Sequence, residues 1–183
     1  MNRSISATLA LAGAGFLLMA CLSNTGTATN NAEASYATTF SVKELMDAMV
    51  DPAADGIWGS VAVISDKTGL EKREPRTPEE WHAVRQHVIR LIESMNLVTM
   101  PGRHAAPEGA KRGAGELSSQ EIDALLASER ETFVAFGKEL QAVTAKALDA
   151  VGARDPSALF KVGSEIDEAC EACHQTFWYP KQD

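Results

Sequence analysis

The chain has no surplus of basic residues, no apolar run long enough to span a bilayer firmly, and no second cluster of cysteines. Each shortage removes a class of function. The 17 Lys and Arg stand against 25 Asp and Glu, a formal charge of −8, which argues against a nucleic-acid partner. The apolar run Leu9 to Ala20 sits behind the single Arg3, and it is too short and too rich in Ala and Gly for a membrane helix. With 3 cysteines and only one close pair, no zinc site of finger spacing can be assembled. No βαβ pattern surrounds that pair, which removes a thioredoxin-like dithiol. No hairpin turn separates two alternating runs, so the sequence predicts no sheet. At 183 residues the chain can bury the core of one domain without disulfide support.

What is present is concentrated near the C-terminus, in Cys170-Glu171-Ala172-Cys173-His174. C-x-x-C-H is the attachment sequence of c-type haem. Residues three apart share a helix face, so both sulfurs reach neighbouring vinyl groups and form thioethers. The His that follows falls beneath the iron and binds it as proximal ligand. Cys170 and Cys173 are therefore the expected haem thioethers and His174 the expected axial ligand.

The N-terminus agrees with that chemistry, because thiol addition to haem takes place outside the cytoplasm. Residues 1–20 read as an export signal that ends in Leu18-Met19-Ala20-Cys21. This resembles a bacterial lipobox, in which the Cys is lipidated and becomes the new N-terminus. The alternative is a plain secreted protein cut near Ala20 or Ala34. Lipidation gives Cys21 a role, since it is otherwise an odd free thiol in an oxidising compartment. One lipid cluster tethers rather than spans. Leu22 rather than Asp follows the Cys, which points to the outer membrane. Residues 21–39 are rich in Ser, Thr, Asn and Ala and read as a flexible tether. Loss of residues 1–20 removes one base and no acid, which leaves the mature chain near −9.

Residues 40–183 read as helices. Ser41 with Glu44, Thr77 with Glu80, and Ser118 with Glu121 are three capping boxes, and Phe40/Leu45 and Leu117/Ile122 flank two of them as staples. The first helix is expected to run from Ser41 to about Asp66, with a kink or short break at Pro52. Glu71 to Pro75 is a charged connector. The second helix follows Thr77 and stops at Pro101-Gly102. The third runs unbroken from Ser118 to about Val151-Gly152, and the fourth starts at Asp155-Pro156. The loop at 102–116 contains four bases: Arg103, His104, Lys111 and Arg112. It reads as a solvated connector, or else as a site where these bases meet haem propionates or an acidic partner. Four amphipathic helices with mostly short connections predict an all-α, antiparallel up-down four-helix bundle, with covalent haem near the C-terminal end of the last helix.

From about residue 40 to 180 this architecture resembles the cytochrome c prime family and its low-spin relatives. The close match is Cys170, Cys173, His174 and the aromatic Phe177. The family often has a base after that aromatic, where this chain has Trp178. It also often has an Arg in the first helix facing a propionate, for which Lys43 is the nearest candidate. The resemblance implies one haem c that either transfers electrons or binds diatomic gases, according to the sixth ligand. Up-down topology brings Met46, Met49, Met95 and Met100 to the haem end, with Trp58, Trp81, His82 and His87 at the other. In relatives with a Met ligand, Met46 best matches its position, with Met49 or Met95 behind it. Each of these Mets can equally be core filling.

The expected function is thus a periplasmic, lipid-tethered electron carrier, not an enzyme, that meets redox partner proteins and no nucleic acid. A homodimer is open. The alternative is a five-coordinate haem protein that binds NO or CO. A peroxide-reducing enzyme needs a distal acid–base group near the iron, and the helix pattern offers no distal His or Arg.

Overall fold

The computed structural model describes residues 36–179, so the expected leader, Cys21 and the tether as far as residue 35 lie outside the described residues. The described chain is mostly helical, with one small antiparallel hairpin. Helix α1 spans Val42–Leu45, a π-helical turn spans Met46–Val50, and α2 spans Asp51–Trp58. Strands β1 (Ala62–Asp66) and β2 (Gly69–Arg73) follow. Then come α3 (Pro78–Val98), α4 (Ser119–Ser128), α5 (Arg130–Ala153) and α6 (Pro156–Phe177).

All three expected capping boxes form, so each helix start satisfies two backbone donors that would otherwise lack partners. Phe40 does not complete its staple, for its side chain is 60% exposed while Leu45 is buried. At α1 the loop does more than the cap. The N–H groups of Val42 and Lys43 donate to the carbonyls of His104 (2.8 Å) and Ala105 (2.9 Å). Asp155 caps α6 by accepting from the N–H groups of Ser157 and Ala158.

Three expectations are corrected. The first helix ends at Trp58 instead of near Asp66, and β1 and β2 occupy the stretch read as helix end and charged connector. Val61 and Ile64 fit a helical stripe, but Val63 and Ile64 are β-branched and pleat readily. Asp66 fixes the turn, its carboxylate accepting from the Thr68 N–H at 2.7 Å, and Gly69 supplies the φ of +134° that closes it. The chain is therefore not purely α. The third helix is two helices, because Glu129 leaves helical geometry at ψ 37° and α5 restarts at Arg130. Arg130 there donates to the carbonyl of Thr99, a tie to the end of α3 that local periodicity does not encode. At Pro52 the outcome is a change of helix type. The π turn, with the Asp51 N–H donating to the Met46 carbonyl, lies just before Pro52, which sits harmlessly in the first turn of α2.

Helix α5 packs against both α3 and α6, and α2 packs against α3. The core includes Ile57, Val88, Leu91, Val98, Leu159, Ile166 and Phe177, all nearly or wholly inaccessible. Burying each such side chain stabilises the fold by about 1.5–3 kcal/mol.

Candidate functional site

Leu159, Val162, Ile166, Ala169 and Phe177 are buried along α6 at helical spacing. That face continues through Cys170 and Cys173, both half-buried free thiols, and His174 is half-buried beside them. All three line one cleft of about 160 Å³. A second cleft of about 200 Å³ adjoins it and shares Met46, Asp51, Phe133, Cys173 and His174. The two are parts of one slot that meets α6 at its C-terminal turns.

The facing wall comes from the π turn and α2. Met46, Val50, Asp51, Ala54 and Trp58 all reach the first cleft. In a π turn the residue five positions on falls under the first, so Met46 and Asp51 stack where an α-helix would splay them. Met95 of α3 joins from a buried position, and Phe133, Phe136, Gly137 and Leu140 of α5 form the floor. Phe177 meets Phe133 and Phe136 edge-on, with ring centroids 5.4 and 6.1 Å apart, which fixes the aromatic floor to α6. Gly137 has a steric role: a Cβ there would lie 2.6 Å from Cγ2 of Thr99, so glycine lets α5 approach α3.

Trp58 is a correction. It was expected at the far end, yet it lines the slot, and its Nε1–H donates to the Gly163 carbonyl at 2.9 Å, tying α2 to α6. Up-down topology puts Trp58 at the far end only if the first helix runs on to Asp66, and that helix ends at Trp58. Met49 is half-buried and Met100 accepts a hydrogen bond from Arg103; neither lines the slot. Trp81 is buried elsewhere, and His82 is exposed. His87 lies over Gly56, where an added Cβ would meet its ring.

The electrostatics follow from burial. Burial pushes the Cys170 thiol up to about 11 and the Cys173 thiol up to about 12. Both are neutral nucleophile precursors at neutral pH rather than standing thiolates. Burial also raises Asp51, with Asp47 adding to the effect and His174 opposing it. Asp51, Asp167 and Glu171 bring acidic groups to the slot, and Lys43 brings a base, its ammonium 3.3 Å from Asp47.

The loop bases divide. Arg103 donates to the carbonyls of Leu97 and Phe40, and His104 pairs with Asp123 at 3.2 Å, so both fasten the loop to the helices and neither lines the slot. Glu116, Trp178 and Tyr179 do line its second part. The Leu117 N–H donates to the Trp178 carbonyl at 2.9 Å, which holds the end of α6 against the start of α4. A roomier cleft of about 450 Å³ lies between α3 and the hairpin, but no thiol or thioether lines it. Among the described residues no three His, Cys, Asp or Glu side chains stand together as ligands for a bare ion. No family model, no characterised protein and no solved structure matches the chain.

Proposed function

We propose that this chain is a c-type cytochrome that transfers electrons through one covalently bound haem. The observation that carries the reading is the slot itself. Both thiols and the imidazole of one C-x-x-C-H open onto a single cleft with an apolar floor and a thioether, Met46, on its opposite wall. Two thiols, an imidazole and a thioether are donors that would hold a haem c, and they are not the four ligands of a structural zinc site.

On this reading the arrangement is a four-helix bundle. The segment α1 to α2 acts as one kinked helix beside α3, α5 and α6, and α4 is a short flanking turn. Cys170 and Cys173 would each form a thioether by adding S–H across a vinyl group, the sulfur bonding one carbon of the double bond and the hydrogen the other. His174 would hold the iron through a ring nitrogen and Met46 through its sulfur. Phe133, Phe136, Leu140 and Met95 keep water from the slot. The haem supplies one-electron cycling between ferric and ferrous iron. On this reading the chain is a carrier rather than an enzyme. Its acidic surface suits redox partners that present basic patches, and the reading places it in the periplasm on a Cys21 lipid tether.

Absorption spectra of the matured chain test this: ferric, reduced, and reduced with CO. A low-spin ferric spectrum with a weak near-infrared sulfur-to-iron band, unmoved by CO, is expected. A high-spin spectrum that shifts at once with CO would mean an open sixth position and a gas-binding protein. No haem at all would end the proposal.

A further inference from the structure

Trp58 and Asp167 line the slot and also a shallow surface groove of about 440 Å³ between the hairpin and α6. Gly163 makes room for the indole. Its carbonyl accepts from the Trp58 Nε1–H at 2.9 Å, and a Cβ on it would lie 3.1 Å from Trp58 Cδ1. The groove has an apolar centre and an acidic rim. Val63 is 57% exposed and Phe160 51%, and both line it. Among the described residues, Asp167 and Glu168 are its only charged lining, and both are exposed. The first part of the slot has the same sign, with Asp51, Asp167 and Glu171 and no Lys or Arg among its described lining residues. Lys72 and Arg73 line a separate groove that shares Val63 and Phe160, and each stands beside a carboxylate, of Glu74 at 2.7 Å and of Glu71 at 2.6 Å.

An exposed apolar centre with charge of one sign around it suits a partner that presents an apolar centre and the opposite charge. We infer that this groove is the docking surface for a redox protein whose contact face is apolar at its centre and rimmed with Lys. Phe160 and Val63 are the apolar anchors, and Asp167 and Glu168 meet the partner's ammonium groups. A protein seated there lies against Trp58, a residue of the slot itself. At the slot's second part Lys43 brings a base, so that mouth matches such a partner less well. The inference rests on the haem reading, because a redox partner needs a redox centre in the slot.

NMR titration of the matured, isotope-labelled chain with mitochondrial cytochrome c, a basic redox protein, tests the surface, with both proteins reduced. The Trp58 indole N–H, Val63 and the α6 stretch from Phe160 to Glu168 should shift. Raising the salt from about 0.01 M to about 0.15 M should weaken the complex about tenfold or more. At low salt, Glu168→Lys and Phe160→Ser should each weaken it about fivefold or more. Glu108→Lys makes the same charge change in the 102–116 loop, outside both the groove and the slot, and should weaken it less than about twofold. The mass of the denatured chain separates two failures. A haem-bearing chain whose shifts fall elsewhere, or that loses equal affinity with Glu108→Lys and Glu168→Lys, overturns the docking surface alone. A chain of bare polypeptide mass overturns the haem reading and this inference with it. A second copy in the groove, seen as concentration-dependent shifts of the same residues that cytochrome c does not change, would also overturn it.

Discussion

At the scale of the residue, the two thiols make a statement about stability as well as reactivity. A thiol in the unfolded chain titrates near 9.0, but folding moves Cys170 to about 11 and Cys173 to about 12. Between those values the folded state keeps protons that the unfolded state has released. Stability must therefore fall as pH rises through that window. In a chain expressed without haem attachment, urea midpoints at about pH 8.5 and about pH 11 should show this loss. The Cys170→Ala/Cys173→Ala chain should show less of it, and equal losses in both would contradict the burial of the thiols. The proposed axial pair makes a second prediction. Met46→Ala should turn a low-spin ferric spectrum high-spin and admit CO, while Met49→Ala should leave it unchanged, since Met49 does not line the slot. Cys170, Cys173 and His174 were legible in the sequence because their spacing alone joins them. Met95 was legible too, since the up-down topology brings it to the same end as Met46, but Trp58 was not, because its place in the slot depends on where the first helix ends.

At the scale of the element, the π turn decides which side chain of the first helical segment faces α6. Deleting the exposed Ala48 should collapse it to α-helix and rotate Met46 about 100° around the helix axis. The expected result is a retained helical fold, read by circular dichroism, with a ferric spectrum that has lost the Met ligand. The caps are independent of the slot. Thr77→Ala removes the oxygen that accepts from the Glu80 N–H and should cost about 1 kcal/mol in urea unfolding with no spectral change. The caps were readable because a capping box is complete within four residues. The hairpin was not, since Val61 and Ile64 satisfy a helical period as well as the start of a strand. Nor was the break at Glu129, for the spacing from Leu126 to Phe133 suits one continuous helix, and the tie from Arg130 to Thr99 is a tertiary contact.

At the scale of the whole molecule, charge governs encounter. If the chain carries electrons as proposed, its net charge of −8 should make it exchange them fastest with basic partners at low ionic strength. Raising the salt from about 0.01 M to about 0.15 M shortens the Debye length from about 30 to about 8 Å, and the bimolecular rate with such a partner should fall steeply. Stopped-flow reduction by a basic redox protein checks this, and a rate that rises with salt would contradict it. The large-scale architecture was partly legible: periodicity gave mostly helix, while nothing in it announced the hairpin that carries the exposed Val63 and Leu70. The central proposal, however, rests on the thioether bonds that Cys170 and Cys173 would make to haem. The most direct measurement is the mass of the denatured chain after expression with haem-attachment machinery, for wild type and for Cys170→Ala/Cys173→Ala. The account predicts one haem retained by the wild type and none by the double variant. A wild type of bare polypeptide mass, or a double variant that keeps its haem, would contradict it.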